Sequence, residues 1–484
     1  MSTPTATTVG QDVFRFRYTG RQADVTTRAP IGQAIEPEGY VASPDDPDFT
    51  TPEALGMTPL FDVASPFRRG LAIGPVDVNV NLSLGWEYSS RSSSGTRTEK
   101  TDDNSPFAAP AVLFSYNRAV GPWAVNASYS AGYRYYVNPD YQAEGSGSQR
   151  NPLSQSASIL VGHLGARHEV NFTSTGSFGT GFDVNAGNTL TQTQLSTGLD
   201  WEYLLAQFYT VGADAAYRTT ISSDDGNGQG GGNGNLSAFD LNTYADYLWT
   251  GKTTLRLSLG TGQNQQSLRD QEAEDRTYVQ SLFSVNYRPK SKFVFDAGLG
   301  VGYVTDSGGS QSTNSELTGL RPVYQLGVLY QATEKTSVSA EFRFQGADIR
   351  PDFRLQADWQ PRDSTAVSLA IYQDQGFSLT TRDQIQVSRG IVGSVSQRIF
   401  SRVTLSVSGG WQQTENVSLG SDDQNSSNGE NTFAYSFAST DLSWQIRDWV
   451  AANASIYTRS GSDTTSDRGN EPETRASISI DFSL

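Results

Sequence analysis

From residue 77 onward the chain alternates apolar and polar positions in steps of two. In Asp77–Ser89, Val78, Val80, Leu82, Leu84, Trp86 and Tyr88 are apolar, while Asn79, Asn81, Ser83, Gly85 and Glu87 are small or polar. Successive strand residues point to opposite faces, so the segment predicts a strand with one greasy and one wet face. The rhythm returns in Trp123–Val137, Leu195–Tyr203, Phe239–Trp249, Phe293–Tyr303, Phe353–Trp359, Val403–Trp411 and Ala476–Leu484. Such segments, joined only by turns and polar loops, predict an all-β fold: one transmembrane antiparallel up-and-down β-barrel of about 20 strands, with 18 as the alternative.

Short and long connections alternate along the barrel region, 76–484. The short ones, such as Thr250-Gly251-Lys252 and Ala332–Lys335, are expected on the periplasmic side. The long ones, such as Ser89–Pro110, Phe178–Asn188 and Thr414–Asn431, are expected outside. Gln345–Arg350 is short where a long loop is due. The aromatics follow the same division. Trp123, Tyr203, Trp249, Tyr287, Trp359, Trp444 and Trp449 lie beside short turns, and Trp86 and Trp411 near the long-loop ends. Two belts result, as expected where amphipathic rings settle at both membrane interfaces.

Composition narrows the class. Apolar residues make up only 36% of 484, too few for a large dry core but enough for a thin outward skin. A net charge of −16 excludes nucleic acid as a partner. The absence of cysteine excludes disulfides and thiolate sites. No apolar run reaches the length of a membrane-spanning helix. An outer-membrane protein needs a leader, so Met1 is expected to replace a removed one or to open the mature numbering. Residues 1–75 read as a separate Pro-rich extension, either periplasmic or partly plugging the lumen. It has a short strand at Val13–Tyr18, a helix start at Thr51-Pro52-Glu53, and apolar points Phe14, Phe16, Tyr18, Leu60 and Phe61.

The stretch Pro66–Tyr88 (PFRRGLAIGPVDVNVNLSLGWEY) resembles the opening segment of the β-barrel porin-2 family, which includes EpsL-like proteins of exopolysaccharide operons. The arginine–glycine pair, a Gly-Pro before the first strand and the alternating strand carry the likeness. The resemblance implies an integral protein of the bacterial outer membrane with a link to exopolysaccharide export. The chain ends in Leu484, with Phe482 two residues before, where many outer-membrane proteins end on an aromatic.

If apolar residues face lipid, the alternate positions line the lumen. That wall carries Asp200, Glu202, Asp214, Asp240, Asp246, Asp296, Glu341 and Asp358, with Arg218, Arg256, Arg343 and Arg354 among them. The acid excess predicts a wet, cation-preferring wall, better suited to neutral sugars, cations or small nutrients than to polyuronates. On this reading Arg at Leu257 is costly and Arg256→Ser is tolerated. Asp224–Asn235 and Asp422-Asp423 lack the closing glutamate of a calcium loop and read as solvated loops. His163 and His168 flank a turn without a metal-ligand motif, and no GxSxG elbow occurs. No catalytic residue, metal or cofactor is expected. The expected partners are outer-membrane lipid, lipopolysaccharide, the barrel-assembly machinery and a small hydrophilic solute or glycan. The expected function is a porin-like channel for small hydrophilic solutes. The alternative is a closed or plugged barrel serving as a surface adhesion, receptor or structural protein.

Overall fold

The computed structural model describes residues 71–483 except 74, 95–97, 138–152, 184–187, 224–233, 269–273, 291, 309–317, 334, 345–349, 378–383, 419–431 and 464–472. Residues 1–70, with the strand and helix expected there, lie outside the described residues. So do most of Asp224–Asn235 and the pair Asp422-Asp423.

The strands are β1 (Leu71–Ile73), β2 (Val76–Ser94), β3 (Thr98–Val120), β4 (Trp123–Tyr133), β5 (Tyr135–Tyr136), β6 (Leu153–Leu164), β7 (His168–Asp183) and β8 (Asn188–Ala206). They continue as β9 (Tyr209–Ser223), β10 (Gly234–Thr250), β11 (Thr253–Leu268), β12 (Glu274–Lys290), β13 (Phe293–Gly308), β14 (Gly319–Thr333) and β15 (Thr336–Phe344). The last are β16 (Asp352–Arg362), β17 (Thr365–Phe377), β18 (Gln384–Ile399), β19 (Val403–Ser418), β20 (Thr432–Arg447), β21 (Val450–Asp463) and β22 (Glu473–Ser483).

Each barrel strand pairs antiparallel with its chain neighbour, and β2 pairs with β22 from Asn81↔Ser483 to Arg91↔Glu473, which closes the sheet. β4 and β5 are one barrel strand interrupted at Arg134; both pair with β3 in the same register. β1 is a stub that pairs with the start of β2, where β22 has ended. The result is a closed up-and-down barrel of 20 strands in the outer membrane, with short periplasmic turns and longer extracellular connections.

The two faces follow the sequence parity. On β11, Leu257 and Leu259 are 52% and 57% exposed, whereas Ser258 between them is buried. Leu299, Val301 and Tyr303 repeat this on β13. These exposed side chains form the lipid-facing skin.

The strands outrun the apolar band. β2 has 19 residues and β3 has 23, where 9–11 suffice to cross a membrane. Ser89–Pro110, expected as a long loop, is therefore mostly strand, and the connection shrinks to residues 95–97. The hydrophobic alternation stops at the membrane edge, but the backbone ladder continues into water. Phe178–Asn188 is corrected in the same way, with β7 reaching Asp183 and β8 starting at Asn188.

Two periplasmic turns share one chemistry, read from Thr-x-Lys-Thr. In Thr250–Thr253, Thr250 Oγ1 accepts from the Lys252 amide at 3.1 Å and bonds Thr253 Oγ1 at 3.1 Å. Thr333–Thr336 repeats both bonds at 3.1 and 3.0 Å. A hydroxyl capping its own turn fixes a tight reversal without a glycine at every corner.

Placing Arg at Leu257, in the middle of the lipid-facing skin of β11, is expected to destabilise the barrel by about 2–4 kcal/mol. Refolding titrations into lipid vesicles measure this; a loss below half a kcal/mol would mean the face is not lipid-bound.

Candidate functional site

The lumen wall gathers its charged side chains into clusters bridging neighbouring strands. On β10 and β11, Asp246 and Arg256 are direct cross-strand partners. The guanidinium forks the carboxylate at 2.7 Å on both arms and lies 4.0 Å over the Tyr244 ring. Tyr244 can lie flat because its neighbour is Gly212, where a Cβ would collide with the ring. Tyr278 donates to Asp240, and Gln325 donates to Asp296 at 2.5 Å. Asp200 and Asp214 face each other across β8 and β9, and Glu169 faces Glu202 across β7 and β8. Both juxtapose like charges, which by itself is unfavourable. Arg218 shares the inward parity of Asp214 on β9, opposite to the exposed Tyr217 and Ile221.

A second cluster spans β15 to β17. Arg343 donates to Asp352 at 2.9 Å, Arg354 lies 3.8 Å from Asp374, and Glu341 is the cross-strand partner of Arg354. Asp358 is held by the Gln356 amide on its own strand, at 3.0 and 3.3 Å, rather than by a cation. A third cluster backs the closing seam. Arg134 and the Tyr136 hydroxyl both donate to Glu87, at 2.5 and 3.0 Å, and Arg134 stacks 4.4 Å over Phe107.

A fourth inward-facing network carries no charge at its centre. Tyr372 on β17 and Tyr435 on β20 both donate to Gln412 Oε1 on β19, at 3.1 and 2.7 Å. Tyr457 and Phe437 pack against Tyr435. Tyr372 is 0% exposed, Gln412 1%, and Thr414 0%. These positions face the lumen, opposite to the exposed Leu369 and Trp411, and yet they are dry. Sequence reasoning missed this sector. The signal was present: Tyr372 shares its parity with Ser368 and Asp374, and Tyr435 with Ser439 and Asp441.

Of the belt aromatics, Trp123, Trp249, Tyr287, Trp359, Trp444 and Trp449 stand exposed beside short turns, and Trp86 and Trp411 stand exposed farther up the wall. Tyr203 is half-buried and pairs with His168. His163 and His168 stack on one another at 4.8 Å, beside Trp123. Among the described residues no group of three His, Cys, Asp or Glu could hold a metal ion.

Arg350 and Pro351, just ahead of β16, are strapped to the outer face above Trp411. The Arg350 amide donates to Gln375 Oε1 at 3.2 Å, and Gln375 returns a bond to the Arg350 carbonyl at 2.6 Å. Gln373 donates to the Pro351 carbonyl at 2.9 Å. The Arg350 guanidinium then forks Glu415 at 2.7 and 2.8 Å. Gln375, Val387 and Glu415 lie in one lateral row across β17, β18 and β19, so the arginine crosses Val387, which is 2% exposed. This fork holds the Glu415 carboxyl below the usual carboxylate range.

No family model and no curated protein matches the chain. Among solved structures it is similar to the siderophore receptor PirA from Pseudomonas aeruginosa, at 8% identity and a TM-score of 0.41, over 84% of this chain and 80% of that one. It is also similar to the FrpB iron transporter from Neisseria meningitidis (F5-1 variant, apoprotein form), at 10% identity and a TM-score of 0.47, over 86% and 82%. The copper transporter OprC matches at 10% and 0.44, over 86% and 82%. The likeness extends to the large antiparallel barrel alone. The expectation of a porin-like diffusion channel for small hydrophilic solutes is corrected. Of the charges expected to set selectivity, Asp246, Arg256, Arg343 and Arg354 are tied in ion pairs, and the inward Tyr372, Gln412 and Thr414 of β17 and β19 are buried against their neighbours.

The tolerance expected of Arg256→Ser is corrected too. It would leave Asp246, 6% exposed, buried without its fork, at a cost of about 3 kcal/mol. Lipid refolding of Arg256→Ser, Asp246→Ser and the double variant checks this, with the double variant recovering part of the loss.

The strap responds to acid. Glu415 has a folded pKa below its unfolded value, so its contribution is complete above the unfolded pKa and is lost as pH falls through the folded one. The protection factor of the Arg350 amide in hydrogen exchange is expected to fall over that window, and Glu415→Gln to lower it at neutral pH. Equal protection in both proteins would show that the fork does not hold the strap.

Proposed function

We propose that the protein is a closed outer-membrane barrel whose extracellular rim serves as a receptor or adhesion surface. The observation that carries this reading is the dryness of Tyr372, Gln412 and Thr414 at lumen-facing positions. These groups bond one another and are packed against neighbouring aromatic rings, which withdraws them from any aqueous path. A 20-stranded barrel is wider than the 16–18-stranded porins that leave an aqueous channel, so closing it takes a plug.

Residues 1–70 enter from the periplasmic end, next to β1, and are proposed to contribute the plug. Their aromatic points Phe14, Phe16, Tyr18 and Phe61 need an apolar partner. The strands that project beyond the membrane have a polar sequence there, as at Ser89–Ser94 of β2. The acid excess favours a neutral glycan or a cation over a polyanion as the surface ligand. The likeness of Pro66–Tyr88 to EpsL-like proteins supports a glycan.

Planar-bilayer recording tests the closed state. The full chain is expected to be electrically silent, and a chain lacking residues 1–65 to show stable steps of conductance. Steady ohmic conductance from the full chain would sink the proposal.

A further inference from the structure

The outer face carries a step at the periplasmic end. Val76, the first residue of β2, pairs with Tyr116, so Asn117–Val120 of β3 run past it and are laddered only to β4. A groove of about 130 Å³ opens there, lined by Tyr116, Arg118, Val120, Trp123 and Val125. All five share the outward parity of the exposed Phe114 and Tyr129.

Arg118 is the one cation in this groove. It is exposed and, among the described residues, forms no ion pair. Trp123 is braced from behind by His163, at 4.3 Å, which stacks on His168. A guanidinium on a lipid-facing wall needs a partner or a route to water. Its planar fork matches two oxygens of a phosphate, and an indole settles at headgroup depth. The surrounding rim adds Arg167, Lys252, Lys290, Lys292, Arg402 and Arg447, on a chain whose net charge is −16. Positive charge is thus concentrated at the level where the phospholipid headgroups of the periplasmic leaflet lie.

We propose that this groove seats the headgroup of an anionic phospholipid of the periplasmic leaflet, with Arg118 forking the phosphate and Trp123 forming the wall. Native mass spectrometry of the full chain in nonionic detergent, titrated with phosphatidylglycerol or phosphatidylethanolamine, tests it. Wild-type protein is expected to retain one phosphatidylglycerol that Arg118→Gln binds about tenfold more weakly, the size of a lost charge-assisted bond. Lys252→Gln, on the same rim but away from the groove, is expected to match wild type. Heat-modified gel migration identifies folded barrels in each preparation. Equal retention by Arg118→Gln and wild type overturns the proposal. So does equal binding of phosphatidylethanolamine, or a loss in Lys252→Gln as large as in Arg118→Gln, which would mean a diffuse rim field. If the acidic stretch Pro30–Pro66 fills the groove instead, phosphatidylglycerol binds only after residues 1–65 are deleted, and the lipid site falls.

Discussion

Closure of the sheet between β2 and β22 is the constraint on which the rest of the molecule depends. In hydrocarbon an unpaired backbone N–H or C=O costs several kcal/mol, so an open edge cannot face lipid. The seam from Asn81↔Ser483 to Arg91↔Glu473 removes both edges at once. It also fixes everything inside, because closing the ring sets which parity faces the lumen on every strand. The Glu87, Arg134 and Tyr136 cluster lies on the lumen side of this seam and ties β2 to the strand two places away. The first barrel strand is therefore held by side chains as well as backbone.

A barrel this wide faces a second problem, since its inner wall has little to pack against. The solution is lateral. Long inward side chains lie along the wall, over small residues of the next strand, instead of reaching toward the axis. Tyr244 over Gly212 and Tyr372 over Gly390 are two instances. Arg256 then stacks on Tyr244 while forking Asp246. Aromatic, cation and carboxylate form one sheet-hugging layer that braces strands across their hydrogen bonds. The same habit makes the wall dry at Tyr372 and Gln412.

Much of this was legible along the chain. The period of two gave the strands, and the alternation of turns gave an even strand count, because both signals are local. Strand length was not legible. The apolar alternation of β2 fades beyond Tyr88, and the ladder continues through serines that a sequence reads as loop. Nor could the sequence tell a tolerant Arg256 from a structural one, since the Asp246 that decides the matter is fixed only by register across the β10–β11 turn. The strap is the extreme case. Arg350 and Glu415 are 65 residues apart, and their meeting depends on the lateral row through Gln375 and Val387. The shortness expected at Gln345–Arg350 does not set it apart, since the connections before β3 and β8 are shorter still.

The two ends of the tube are built on opposite principles. At the periplasmic end the reversals are tight and self-capped, as in Thr250–Thr253 and Thr333–Thr336, and neighbouring turns are linked, as Lys335 is to Asp363 at 2.6 Å. That link holds the Asp363 carboxyl below its ordinary range, with the Lys335 hydrogen bond as the larger cause. At the other end the strands climb beyond the membrane on polar residues, and Arg350 is pinned to Glu415. Register, facing and closure are thus determined by the tight turns at the periplasmic end and by the β2–β22 seam, below the level that the longest strands reach.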